Sequence, residues 1–258
     1  MKRIAVKIGS AVLTREDGTL NVTRLSSLVD QIARLRHNGI EVILISSGAV
    51  ASGRGELHLS QQSTLEMDSV EQRQLFSAVG QAKLINRYYD FLREHHIPAG
   101  QVLTQKADFD SAEHRENMRR CMEVMLSHGV LPVVNENDTV CITELMFTDN
   151  DELAGLISRL MKADTLIILS NVDGLYDGNP EDDAARLIPI VHTGRDISEY
   201  IRTEKSAAGR GGMLSKCNTA MQVAAEGINV LLASGERENV LVDLAFRPES
   251  VPHTHFTT

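Results

Sequence analysis

The 258-residue chain is poor in cysteine, in net positive charge and in long apolar runs. Its three cysteines, Cys121, Cys141 and Cys217, lie far apart and form no C-x-x-C pair. That excludes a disulfide framework and a cysteine-based zinc site, and it fits a reducing compartment. Acidic residues outnumber basic ones by 35 to 26, for a formal net charge of −9. Such a balance argues against nucleic acid and anionic membranes as partners, while a local basic pocket stays open. No apolar run approaches the roughly 18 residues of a membrane span. The opening stretch "MKRIAVKIGS" carries basic residues but neither a long apolar core nor a small-residue cleavage site, so a cytoplasmic protein is expected. The nine histidines show no H-E-x-x-H and no paired ligand spacing, so no structural metal is expected. Serine hydrolase chemistry lacks its G-x-S-x-G elbow.

What is present is alternation of short apolar runs with helical periodicity, the mark of an α/β fold with a mainly parallel sheet. Strands are expected at "RIAVKI" (3–8), "EVILI" (41–45), "GQVLT" (100–104), "VLPVV" (130–134), "TLIIL" (165–169), "IPIV" (188–191) and "NVLLA" (229–233). Val22, Leu25, Leu28, Val29, Ile32 and Leu35 share one face of a helix that stops at Gly39; Leu153, Leu156, Ile157, Leu160 and Met161 share another. Further helices are expected over 111–128 and 214–227, a short hairpin at "CITELMF" (141–147), a mobile loop at 202–213 and a frayed tail over the last ten residues. His253 and His255 fall in that tail, where solvation is a better account than metal binding.

Four of the apolar runs end in polar or small residues: Gly9-Ser10, Ser46-Ser47-Gly48, Asn135-Glu136-Asn137-Asp138 and Ser170-Asn171-Val172-Asp173-Gly174. In a parallel sheet these carboxyl ends share one edge, where ligands bind; turn chemistry alone accounts for any one of them. Lys7 interrupts an apolar run. On a central strand it needs an anionic partner, whereas on an edge strand it can reach water. "ISSGAVASG" (45–53) reads as strand, turn and helix start, an anion site with a close approach at Gly48, or simply a cap by Ser46 or Ser47. "FTDNDELAG" (147–155) opens a helix that Asp149 or Asn150 would cap; an amide and a carboxylate there can also meet a substrate ammonium or orient a lysine. "AAGRGGMLSKC" (207–217) fits neither the P-loop pattern nor the dinucleotide fingerprint, yet it places glycines, an arginine and a lysine before a helix.

Taken in order, "VKIGS", "LISSGAVASG", "PVVNENDTV", "TDNDELAG", "SNVDGLYD" and "GRGGMLSK" resemble the amino acid kinase family, and within it most closely the glutamate 5-kinases. The resemblance runs from residue 2 to about residue 233. It implies a three-layer αβα sandwich with an open, mainly parallel sheet, as a single domain with an acceptor lobe over about 1–164 and a nucleotide lobe over 165–258. It also implies phosphorylation of the γ-carboxylate of L-glutamate by ATP with Mg²⁺, the first step of proline biosynthesis. Other readings of the same fold are a kinase for acetylglutamate, aspartate, carbamate or UMP, and a sensor that binds without turnover. The implied catalytic groups are Lys7, Asp151 and Lys216, with Asp151 orienting the two lysines. The acceptor would meet Ser47, Gly48, Asp138 and Asn150, the last two through its α-amino end. The nucleotide would meet Lys7, Gly9, Ser10, Ser170, Asn171 and the segment Arg210, Gly211, Gly212, Met213, Leu214, Ser215 and Lys216, with Mg²⁺ on its phosphates rather than on a protein cage. The family usually has Thr-Asp at Ser170-Asn171, and Thr at Arg210 and Ser215. A dimer or tetramer is implied as well, as is feedback by proline at a site overlapping the glutamate pocket, which residues 54–75 would shape. Many bacterial members carry a further C-terminal domain of the RNA-modifying type, and the chain is expected to be a short form without it.

Overall fold

The computed structural model describes residues 1–57, 67–140, 149–197, 200 and 212–258. Among these, eight strands form one sheet: β1 (Arg3–Ile8), β2 (Glu41–Ser46), β3 (Ala99–Thr104), β4 (Leu131–Glu136), β5 (Thr165–Ser170), β6 (Ile190–His192), β7 (Asn229–Ser234) and β8 (His253–Thr257). Their order is β3-β4-β2-β1-β5-β7-β8-β6, and every neighbouring pair is parallel except β7 with β8. β1 therefore lies between β2 and β5, inside the sheet, which removes the edge-strand account of Lys7.

Strand alternation divides the apolar residues into two cores. Ile4, Val6 and Ile8 of β1, Val42 and Leu44 of β2, and Ile167 and Leu169 of β5 belong to one. Ala5, Ile43, Ile45, Leu166 and Ile168 belong to the other. The first is covered by α2 (Val22–His37), α4 (Ser69–Glu94) and α8 (Val240–Phe246) through Leu25, Leu28, Ile32, Leu84, Tyr88, Leu241 and Leu244. The second is covered by α5 (Ala112–Ser127), α6 (Asn150–Leu160) and α7 (Met213–Ala225) through Met122, Leu126, Leu153, Ile157, Ala220 and Val223. Each fully buried aliphatic or aromatic side chain contributes about 1.5–3 kcal/mol. The result is the three-layer sandwich. Two short helices follow β1 and β2, α1 (Ser10–Leu13) and α3 (Ala49–Leu57).

Two expectations need correction. The C-terminal residues are not a frayed tail: β8 fits between β7 and β6, with Thr254 and Phe256 buried. Thr254 Oγ1 accepts from the Leu175 amide at 2.8 Å and donates to the Ile188 carbonyl at 2.7 Å. Every second residue faces inward, and the intervening histidines hide the pattern. His255 Nε2 lies 3.0 Å from Asn229 Oδ1, and His253 Nδ1 lies 2.7 Å from the Val251 carbonyl oxygen. The strand expected at 188–191 runs instead over Ile190–His192. Pro189 has no amide to donate to a ladder, and Ile188 bonds back to Leu175 at 2.8 Å. The hairpin expected at 141–147 lies outside the described residues, as does the loop expected at 202–213 apart from Gly212 and Met213.

Among the described residues, three α-helices escaped the sequence reading, the short α1 and α8 and the long α4. α4 is 26 residues long and starts in a capping box, with Asp68 accepting from the Val70 and Glu71 amides and Glu71 accepting from the Asp68 amide. It packs on α3 with the two backbones almost touching. A Cβ at Gly80 would stand 1.8 Å from the Ala49 carbonyl oxygen, and one at Gly53 1.9 Å from that of Phe76. No side chain fits at either position, and this fixes how close α4 comes to the strand ends.

Candidate active site

Lys7 points to the same face of the sheet as Ala5, two residues earlier, so it meets α6 and α7. Those helices bring the two groups that hold it. Lys7 Nζ lies 2.6 Å from Asp151 Oδ1, and Lys216 Nζ lies 3.1 Å from Asp151 Oδ2. The Lys216 contact is a hydrogen bond, whereas the Lys7 contact is a short ion pair off the aligned hydrogen-bond direction. Side-chain exposure is 5% for Lys7, 0% for Asp151 and 12% for Lys216. Burial opposes ionisation of Asp151, but the ammonium groups of Lys7 and then Lys216 outweigh it and hold the carboxyl below its usual range. Cys217, beside Lys216, stays a neutral thiol: burial pushes it up to about 12, eased by Lys216 and reinforced by Asp151.

Local structure explains how Asp151 reaches this position. Asp149 caps α6, its Oδ1 accepting from the Asp151 amide at 2.8 Å and the Glu152 amide at 3.1 Å. Asn150 is then the first helical residue, and Asp151 turns into the sheet. Asn150 Nδ2 donates to Ser47 Oγ at 3.0 Å, to Asn135 Oδ1 at 3.1 Å and to the Ser46 carbonyl at 3.3 Å. Adjacent residues thus tie α6 to β1 and α7 through Asp151 and to β2 and β4 through Asn150. Ser46 Oγ donates to the Ser47 carbonyl at 2.8 Å and shares a 2.7 Å bond with Tyr88 Oη. Burial pushes the Tyr88 phenol up, so it remains protonated. Gly48 follows at φ +105°, a conformation that disfavours any side chain.

Asp138 does not stand open at the edge. Its Oδ1 accepts from Arg73 Nε at 2.5 Å and its Oδ2 from Ser77 Oγ at 3.0 Å. Arg73 Nη2 also donates to Glu136 Oε2 at 2.6 Å, and Asn135 Nδ2 donates to Gln81 Oε1 at 2.8 Å. Arg73, Ser77 and Gln81 lie four residues apart on one stripe of α4. The sequence reading singled out none of the three, although Arg73 falls in the pocket-shaping segment 54–75. It gave Asn135 and Glu136 only as part of a polar strand end; their burial needs these partners. The legible signal was the Asp68–Glu71 capping box followed by Phe76, Gly80, Leu84, Tyr88 and Leu92 at helical spacing.

On the other half, a Cβ at Gly9 would stand 2.8 Å from the Leu169 carbonyl oxygen and 3.7 Å from Lys7 Nζ. Gly9 thus lets the chain hug β5 beside the ammonium group. Ser10 is exposed, Ser170 is buried with its Oγ 3.3 Å from Asn171 Oδ1, and Asn171 is exposed at the strand end. Gly212 precedes α7 with extended backbone, and Met213, Leu214, Ser215 and Lys216 form its first turn. Met213 packs on the core and Leu214 is exposed. Arg210 and Gly211 lie outside the described residues.

A sheet edge with two lysines joined through one buried carboxylate, on an αβα sandwich, defines a class. The chain belongs to the amino acid kinase family, whose sequence model matches residues 2–234. More particularly, it is similar to curated glutamate 5-kinases. That of Bacteroides thetaiotaomicron is 59% identical over 254 residues, 98% of this chain and 69% of that protein. That of Chlorobaculum tepidum is 47% identical over 249 residues, 95% of this chain and 66% of that protein. The chain thus spans about two thirds of the length of these two relatives. A solved isopentenyl phosphate kinase superposes with a TM-score of 0.69 at 19% identity, covering 99% of this chain and 100% of that one, and this likeness shows the fold.

Proposed function

We propose that the chain transfers the γ-phosphoryl group of ATP to the γ-carboxylate of L-glutamate, giving L-glutamyl 5-phosphate, the first step of proline biosynthesis. The similarity to glutamate 5-kinases supports the acceptor. The observation that carries the chemistry is Asp151 joining Lys7 and Lys216. A carboxylate acceptor is already a nucleophile, so the site has no need of a strong base. It must hold donor and acceptor in line and neutralise the transferring group. Lys7 and Lys216, gripped by opposite oxygens of one carboxylate, would present their ammonium groups from two sides without reorganising. Asp151 itself is a positioning residue. Ser47, Gly48, Asp138 and Asn150 would hold the glutamate. Gly9, Ser10, Ser170, Asn171 and the segment 210–216 would hold the nucleotide.

Mg²⁺ would supply further neutralisation on the ATP phosphates. Asp151 is engaged by two lysines and Asp138 by Arg73 and Ser77, which fits an ion carried mainly by the nucleotide rather than by a carboxylate cage. The acyl phosphate product hydrolyses readily, and the buried setting of Lys7 and Asp151 keeps water from the transfer point. Lobes over 1–164 and 165–258, a cytoplasmic location, a dimer or tetramer and proline feedback belong to the same proposal. No described helix is long and apolar enough to cross a membrane.

The deciding experiment traps the acyl phosphate as a hydroxamate, with glutamate and ATP each omitted in turn and with proline added. Product that needs both substrates and Lys7 is expected. Product formed equally well with acetylglutamate, aspartate, carbamate or UMP, or none with any acceptor, would sink the reading.

A further inference from the structure

Glutamate carries two charges besides the one that reacts, an α-ammonium and an α-carboxylate two bonds apart. A receptor for that head group needs a cation and an anion side by side. The acceptor end of the site contains one such pair, contributed by α4 and the turn after β4. Arg73 and Asp138 touch at 2.5 Å, with Glu136 2.6 Å from Arg73 Nη2 on the other side. We propose that Arg73 reads the α-carboxylate of the head group through its Nη1 edge, beside Asp138, whose place at the α-ammonium belongs to the glutamate reading above. The inference rests on the glutamate reading above.

Three observations support it. First, the arginine keeps donors to spare. Nε and Nη2 are used on Asp138 and Glu136, Nη1 has no partner among the described residues, and the side chain is 21% exposed where its two carboxylate partners are almost wholly buried. A guanidinium has five N–H donors in a planar fork, so two anchored nitrogens leave an edge suited to a carboxylate. Second, Asp138 keeps acceptor capacity, because each of its oxygens is met by one side chain of α4 and a carboxylate offers about four lone-pair sites. Third, the pair adjoins the other residues assigned to the acceptor. Asn150 Nδ2 donates to Ser47 Oγ at 3.0 Å and to Asn135 Oδ1 at 3.1 Å, and Asn135 stands at the end of the strand that leads into the turn carrying Asp138. The other cation on this side, Lys106, pairs with Glu152 at 2.8 Å and touches neither Asp138 nor Asn150 in any described contact.

The test compares kcat/KM, by ADP release, for L-glutamate, for 4-aminobutanoate, which lacks the α-carboxylate, and for glutarate, which lacks the α-ammonium. In the unaltered chain each analogue should be worse by roughly 10- to 100-fold, the scale of a lost hydrogen bond to a charged group. Arg73→Gln should shrink the penalty on 4-aminobutanoate to about threefold or less while the penalty on glutarate persists, because only the deleted contact stops discriminating. Asp138→Asn should do the reverse, and Lys106→Gln should change neither ratio. Arg73→Met, which keeps the apolar stem, must agree with Arg73→Gln and serves if the glutamine variant packs poorly. An Arg73 variant that still phosphorylates glutamate with the 4-aminobutanoate penalty intact, or that loses the glutarate penalty instead, would make Arg73 a brace for Asp138 and overturn the inference. No ADP release with glutamate from the unaltered chain would overturn the parent reading.

Discussion

The two ends of the site are held in different ways. The lysine end is built on the sheet and the helices packed directly against it. Lys7 comes from β1, Asp151 from α6 and Lys216 from α7, and all three sit over one apolar core. The Asp138 end is held at one remove. Asp138 and Asn135 lie at the end of β4, but their partners Arg73, Ser77 and Gln81 come from a helix whose position depends on two glycines meeting the backbone of α3. One end is fixed by charge in a buried setting, the other by how closely two helices approach. Changes of charge should therefore damage the first, and changes of one methyl group the second.

The largest effect is expected at Asp151. Asparagine there leaves two buried ammonium groups facing each other and should cost about 3–5 kcal/mol of stability at neutral pH, read by urea unfolding. The gap should depend on pH with a definite sign. The folded protein holds the Asp151 carboxyl below its usual range, so the carboxylate's contribution is complete above about pH 4 and fades as pH falls through the lowered folded value. The unaltered chain and the Asp151→Asn variant should thus converge in stability in acid, and a gap that widened instead would contradict the assignment. Next, Lys7→Ala and Lys216→Ala should each lower kcat by roughly 10²-fold or more, the scale of one lost transition-state donor. KM for glutamate should change little, since the lysines belong to the other end, and near-normal turnover in both variants would remove them from the mechanism.

At the Asp138 end, Gly80→Ala should destabilise by about 1–3 kcal/mol despite alanine's helix propensity, because its Cβ has no room against Ala49 and Gly53. Its remaining activity should show a raised KM for glutamate with the KM for ATP unchanged. Equal shifts in both would mean that the two ends are not separable. The smallest change is Ser77→Ala, which removes one hydrogen bond from Asp138 and should raise the glutamate KM roughly fivefold, or about 1 kcal/mol, without altering kcat.

The same division governs what could be read from the chain. Lys7 was visible because a lysine inside "RIAVKI" contradicts the pattern around it. Asp151 and Lys216 stood at helix starts, where their surroundings invite a question about charge. Arg73 raised none, because a charged residue on the polar stripe of an amphipathic helix is the ordinary case. Its role follows from the crossing of α4 on α3, which depends on contacts remote in sequence. Asp138 was legible as a polar strand end but not as one partner of an ion pair. The strands were legible wherever they were apolar on both faces. β8 was not, since its inward residues are only Thr254 and Phe256 and its other residues are histidine and threonine.

That last strand has a consequence for how the protein is made. Among the described residues, β6 is joined to the sheet only through β8, at the register Ile190↔His255, Val191↔Phe256 and His192↔Thr257. On a ribosome, residues 190–192 emerge long before 253–257, so β6 waits without a hydrogen-bonding partner while some sixty further residues are synthesised. The parallel strands β1 to β4 close earlier, since they are complete by residue 136. The nascent chain thus passes through a stage with one half of its sheet assembled and an unpaired strand in the other, the kind of intermediate on which chaperones act.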